Sequence, residues 1–194
     1  MKRVLFLIMA VNALLVSARA QAAHDGFYLG GAGGANWMNY KHDLEFKVGY
    51  FAALSVGYRF CDRFRLEGEV GFRRNRLKDL DFGDDIVFRS NAHLSTTSWM
   101  GHLFYEYPLH FCGFCIKPFI GGGIGYARSE FHVKSFGEHV IDDRSTEKGF
   151  AWDVISGIAY PIWCNIDIDL EYRYFRTRFE SENHSLAAGL RYYF

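Results

Sequence analysis

Through most of this chain apolar side chains recur at every second position, and the positions between them are small or charged. In Phe64–Arg74 one face carries Phe64, Leu66, Gly68, Val70 and Phe72, and the other carries Arg65, Glu67, Glu69, Gly71 and Arg73. Ile166–Tyr174 sets Ile166, Ile168, Leu170, Tyr172 and Tyr174 against Asp167, Asp169, Glu171 and Arg173. Val48–Phe60 and Ser185–Phe194 repeat the pattern, and weaker alternation covers Gly26–Tyr40, His93–Tyr107, Ile116–Phe131 and Gly149–Ile162. A helix would bring apolar residues back at three and four positions; a return at two is the period of a strand with two unlike faces. Eight strands are predicted.

The connections differ in length. Cys61–Arg63, Pro108–Cys115 and Trp163–Asn165 are brief, Lys41–Phe46 and Thr177–Glu182 are modest, and Leu77–Ala92 and His132–Lys148 are longer and polar. Short turns at one end and long loops at the other characterise barrels of the bacterial outer membrane. The expected fold is therefore all-β, an eight-stranded antiparallel up-and-down transmembrane β-barrel, with both termini on the periplasmic side.

A secreted soluble ligand-binding barrel is the alternative, and the two differ in where the apolar face points. The polar face combines glycines and alanines with charges of both signs, which suits the crowded interior of a narrow barrel. Those charges are placed to pair. Asp169 is expected opposite Arg191, Arg59 diagonal to Glu67, and Arg65 within reach of Glu106 on the next strand. An unpaired buried charge costs several kcal/mol, so a paired interior is required. Tyr58, Phe60, Phe64, Tyr105, Tyr107, Tyr160, Trp163, Tyr192 and Phe194 lie near short turns or the C-terminus, as a ring at one bilayer interface would.

Composition agrees. Aromatic residues make up 18% of the chain, with 20 Gly and 3 Pro, a bias toward strands. Lys2 and Arg3 precede an apolar run from Val4 to Val16 that is too short to span a bilayer core of about 30 Å. Ala18-Arg19-Ala20 and Ala20-Gln21-Ala22 follow, each with the spacing a signal peptidase reads. Residues 1–22 are expected to be a cleaved signal peptide and 23–194 one barrel domain. Without Lys2, Arg3 and Arg19 the formal charge falls from +0 to about −3, and nothing in it points to nucleic acid.

Several segments carry a resemblance. Leu186, Ala188, Leu190, Tyr192 and Phe194 resemble the terminal assembly signal of outer-membrane barrels, which implies handling by the barrel assembly machinery and contact with outer-membrane lipid. Gly26-Phe27-Tyr28-Leu29-Gly30-Gly31 resembles the first strand of the OmpA-like and opacity-type family. Pro118–Ala127 resembles that family's glycine-rich fifth strand, and Leu170–Tyr174 its seventh. The resemblance implies fold and location more than activity.

Cys61, Cys112, Cys115 and Cys164 all fall in short turns at one rim. In an oxidising periplasm they are candidates for disulfides within the chain or to other envelope proteins; free thiols, a zinc site and redox chemistry are the other readings. No cofactor or metal is expected. A lipid-modifying enzyme of the outer membrane is the alternative function, but Asn183-His184-Ser185 puts its His and Ser on opposite faces of a strand. The reading is thus a non-enzymatic structural barrel with a filled lumen. The loops 77–92 and 132–148 carry Asp79, Asp81, Asp84, Asp85, Asp142 and Asp143 beside Phe82, Phe88 and Phe136, a surface for adhesion or an extracellular ligand.

Overall fold

The computed structural model describes residues 25–39, 47–61, 63–76, 80–81, 87–88, 93–111, 114–134, 142–178 and 181–194. The expected signal segment, Cys112, most of the loop 77–92 and the middle of the loop 132–148 lie outside the described residues. The elements are β1 (Gly26–Asn39), β2 (Gly49–Phe60), β3 (Phe64–Arg76), β4 (Leu80–Asp81), β5 (Val87–Phe88), β6 (His93–Glu106), β7 (Leu109–Phe111), β8 (Phe114–Lys134), β9 (Asp142–Trp163), β10 (Ile166–Thr177) and β11 (Glu182–Tyr193).

Eight of them form the wall. Each pairs antiparallel with the next in the order β1, β2, β3, β6, β8, β9, β10, β11, and β11 pairs back onto β1 from Tyr28↔Tyr193 to Asn39↔Glu182. The wall is a closed eight-stranded antiparallel barrel. Closure leaves no backbone edge to face hydrocarbon, where nothing could satisfy it. β4 and β5 form a separate two-stranded ladder, and β7 folds back onto the start of β8.

The alternation sorts inside from outside. Leu66 is 58% exposed while its neighbour Glu67 is 5% exposed, so the apolar face looks outward and the charged face inward. Leu54, Val70, Ile124, Ile158, Leu170 and Leu190 share the outer surface. In water such a surface would be a large apolar liability; against lipid it is the required solvent-facing side.

Glycine appears where interior side chains lie flat against a neighbouring strand. A Cβ at Gly57 would overlap the Tyr28 ring, and one at Gly123 would overlap the His102 imidazole.

Two boundaries differ from expectation. β8 and β9 run for 21 and 22 residues, roughly double what a bilayer crossing needs. Residues 132–134 and 142–148, expected in a loop, continue the ladder to Lys134↔Asp142. The Pro108–Cys115 connection contains the β7–β8 pairing Leu109↔Ile116 and is not a simple turn. β10 joins β9 across a register shift at Ile166/Asp167, beside Pro161, and irregular positions are where a sheet accepts proline.

Candidate functional site

The interior is a stack of polar layers. Nearest the short turns, Asp167 receives Lys117 at 3.2 Å and Arg59 at 3.9 Å. Above it, Arg65 reaches Glu106 at 3.1 Å and Glu67 at 3.0 Å, and Arg191 reaches Glu106 at 2.7 Å and Asp169 at 3.2 Å. The Tyr28 hydroxyl donates to Glu67 at 2.5 Å. These groups come from β1, β3, β6, β10 and β11, so one cluster ties strands from both sides of the lumen.

The register explains each placement. Arg191 lies directly opposite Asp167, not Asp169; Asp169 faces Gly189, and that gap lets the Arg191 guanidinium meet it diagonally. Arg59 sits diagonal to Glu67, whose direct partner is Gly57, and pairs with Asp167. Arg65 and Glu106 lie across the β3–β6 ladder.

The middle layer was not read from the sequence. Arg173 donates from Nη1 to both oxygens of Glu69, at 2.8 and 2.6 Å, and from Nε to Glu171 at 2.7 Å. Glu69 and Arg173 stand on β3 and β10, on opposite walls. Arg73 stacks over Phe175 at 3.9 Å and donates to Ser98 at 3.1 Å. His102 Nε2 faces Asp153 at 2.9 Å. Toward the long loops, Asn36 donates to Asn75 at 2.5 Å and to Asn183 at 3.0 Å, and Ser185 donates to Asn36 at 2.7 Å.

What can this arrangement do chemically? Between Arg65, Glu67, Glu69 and Arg173 lies a polar cavity of about 20 Å³, room for about one water. Glu67, Glu69 and His102 offer ligand atoms within 4.8 Å of one another, yet both Glu69 oxygens already hold Arg173 and Glu67 holds Arg65 and Tyr28. A cation there would have to displace arginines. Ser185 is fully buried inside, whereas His184 lies on the outer face and accepts or donates to the Tyr172 hydroxyl at 2.6 Å, so the two never meet.

A family model, the outer membrane protein beta-barrel domain, matches residues 6–194. The chain belongs to that family. Its place is the bacterial outer membrane, which the outward apolar band already required. Among solved structures, this barrel is similar to Neisserial surface protein A, with 19% identity, a TM-score of 0.62, and coverage of 87% of this chain and 97% of that one. It is also similar to the attachment invasion locus protein Ail of Yersinia pestis, with 14% identity, a TM-score of 0.52 and coverage of 88% and 97%. The outer membrane protein OprG of Pseudomonas aeruginosa gives 12%, 0.53, 88% and 96%. Such identities establish a shared fold. No match was found among curated proteins.

At the rims of this outer-membrane barrel, the expected short-turn aromatics make contact: Phe60 stacks on Phe64, Phe64 meets Tyr105, and Tyr192 meets Phe194. The Phe194 amide donates to the Phe27 carbonyl at 3.1 Å, pinning the C-terminus to β1. Leu190 and Tyr192 point outward on the same strand. A second aromatic level, missed in the sequence, holds Trp37, Tyr50, Phe72, Trp99, Tyr126 and Trp152 on the outer face near the long loops. Counting along each strand from the short-turn aromatics would have found it. Among the described residues, Cys61, Cys115 and Cys164 are free thiols, so no bond among these three ties the rim. Cys61 and Cys164 are exposed, and Cys61 holds φ at 53°. The turns stand on separate hairpins around the barrel end, so these three thiols do not meet each other.

Proposed function

We propose that this protein is a non-enzymatic structural barrel whose filled lumen seals rather than conducts, and whose long-loop end is offered to partners. The observation that carries this reading is two successive layers, where Arg173 bridges Glu69 and Glu171 and Arg191 bridges Glu106 and Asp169. A channel for polar solutes needs a continuous wet path, and these charge-assisted pairs stand across it. The opposed faces of His184 and Ser185 support the non-enzymatic reading. The terminal strand ending at Leu190, Tyr192 and Phe194 serves as the signal for barrel assembly.

The attachment invasion locus protein, similar in fold, supports adhesion as the role of the loop end. In this orientation the short turns lie in the periplasm, where exposed Cys61 and Cys164 are available to thiols of other envelope proteins. Single-channel recording in planar bilayers tests the seal: the reading requires no stable conductance steps, and ohmic steps that persist through purification would overturn it. Electrophoresis of native membranes without reductant tests the thiols, with a reductant-sensitive ladder expected and a fully alkylatable monomer against.

A further inference from the structure

We propose that the outer face near the long loops is a binding strip for the phosphate groups of a phosphorylated glycolipid in the outer leaflet. The proposal rests on the orientation given above. It begins from a regularity on the lipid-facing side. On β3, β8, β9 and β10, the outward position two beyond an aromatic residue, toward the loops, is cationic: Phe72 leads to Arg74, Tyr126 to Arg128, Phe150 to Lys148 and Tyr174 to Arg176. Arg178 adds a fifth cation, its amide bonded to the Phe150 carbonyl at 3.1 Å.

At the other rim the same step gives no cation. Two beyond Tyr58, Tyr105, Tyr160 and Tyr192 stand Phe60, Tyr107, Ile162 and Phe194. Basic side chains that merely snorkel to water would serve equally well at both interfaces. A step repeated on four strands at one rim asks for an anion found at one leaflet.

The register sharpens this. Arg128 and Lys148 are direct cross-strand partners on the same outward face. Like charges in that position repel, with Cβ atoms about 4.5–5.5 Å apart. An anion between them converts the repulsion into a clamp. Glu130 pairs with Arg128 at 2.7 Å and Glu182 with Arg176 at 3.6 Å, whereas Arg74, Lys148 and Arg178 have no acidic partner among the described residues. The strip is therefore net positive.

Its chemistry selects the ligand. Guanidinium groups take phosphate oxygens in pairs, and Lys148 adds a mobile point charge. Cations on adjacent strands, spaced by about 4.8 Å per strand, span more than one phosphate of a single headgroup. Below them the exposed Ile124, Trp152 and Val154 offer apolar surface for several acyl chains. A headgroup with multiple phosphates on a multi-chain lipid fits both levels.

The experiment uses the full mature barrel refolded in zwitterionic micelles, with native mass spectrometry and tryptophan fluorescence as readouts. Bisphosphorylated lipid A is titrated against its dephosphorylated form and against phosphatidylglycerol. The wild type should hold the bisphosphorylated lipid at least about tenfold more tightly than either comparator. Arg128→Gln/Lys148→Gln/Arg178→Gln should weaken that binding by about a hundredfold, since each cation contributes about fivefold at an anionic surface. Arg63→Gln, at the other rim, should change nothing. Should the triple variant fail the heat-modifiable migration of a folded barrel, Arg74→Gln/Arg178→Gln replaces it, with about a tenfold or greater loss expected. Equal binding by variant and wild type overturns the site. Equal binding of the dephosphorylated lipid overturns the phosphate chemistry, and equal binding of phosphatidylglycerol overturns the glycolipid.

Discussion

Arg173 shows how a single side chain holds opposite walls of a barrel. Its guanidinium holds Glu171 and both oxygens of Glu69, all buried. Removing one member of a buried pair costs about 3–5 kcal/mol because the other is left charged. Arg173→Met strands two carboxylates and should therefore destabilise more than Glu69→Leu. The double variant should regain part of the loss but not all, since Glu171 stays unpaired; urea unfolding in phospholipid vesicles gives the three values. If the double change simply adds the two single losses, the pair is not coupled. Cys61 is a different case. A side chain at φ 53° is strained, and Cys61→Gly should stabilise by up to about 1 kcal/mol in the same assay. Legibility at this scale depended on distance along the chain. Arg65 and Glu106 were foreseeable because β3 and β6 are neighbours, whereas Glu69 and Arg173 meet from 104 positions apart and alternation cannot choose between partners on facing walls.

Among the elements, the strands whose two faces met lipid and lumen were readable from their alternation, and their boundaries fall within a few residues of expectation. β8 and β9 were not readable to their ends. Beyond Arg128 and Lys148 the strict alternation lapses into mostly polar residues such as Ser129, Glu130, Thr146 and Glu147, because no lipid stands there to demand apolar side chains. The same logic predicts where charge is intolerable. Val70, half exposed at mid-strand on β3, faces the hydrocarbon, and Val70→Arg should cost about 2–4 kcal/mol in vesicle refolding, with Val70→Leu near neutral. Equal effects would reverse the inside–outside assignment. Replacing residues 132–144 with a short turn should leave folding and heat-modifiable migration intact, because the ladder beyond the bilayer adds nothing to closure; loss of the folded band would show otherwise.

At the level of the whole molecule, a dense polar interior and an apolar exterior invert the arrangement of a soluble protein, and the paired charges make that inversion affordable. Cys61, Cys115 and Cys164 were legible as a group at one end, but their partners were not, since thiols on separate hairpins depend on what else shares the compartment.

The last six β8–β9 pairs, Ser129↔Glu147 to Lys134↔Asp142, rise some way past the last β9–β10 pair, Thr177↔Ala151. At about 3.3 Å per residue that is roughly 20 Å of ribbon, flanked by β6 as far as His93↔His132 and by no strand on the β10 side among the described residues. Among the described residues the barrel thus carries a parapet over one arc of its rim, while the strands β11, β1 and β2 stop lower. In the proposed orientation, a partner approaching over that arc meets strand backbone well before it meets the wall. A protein of near-circular cross-section is in this way given a front and a back within the plane of its membrane.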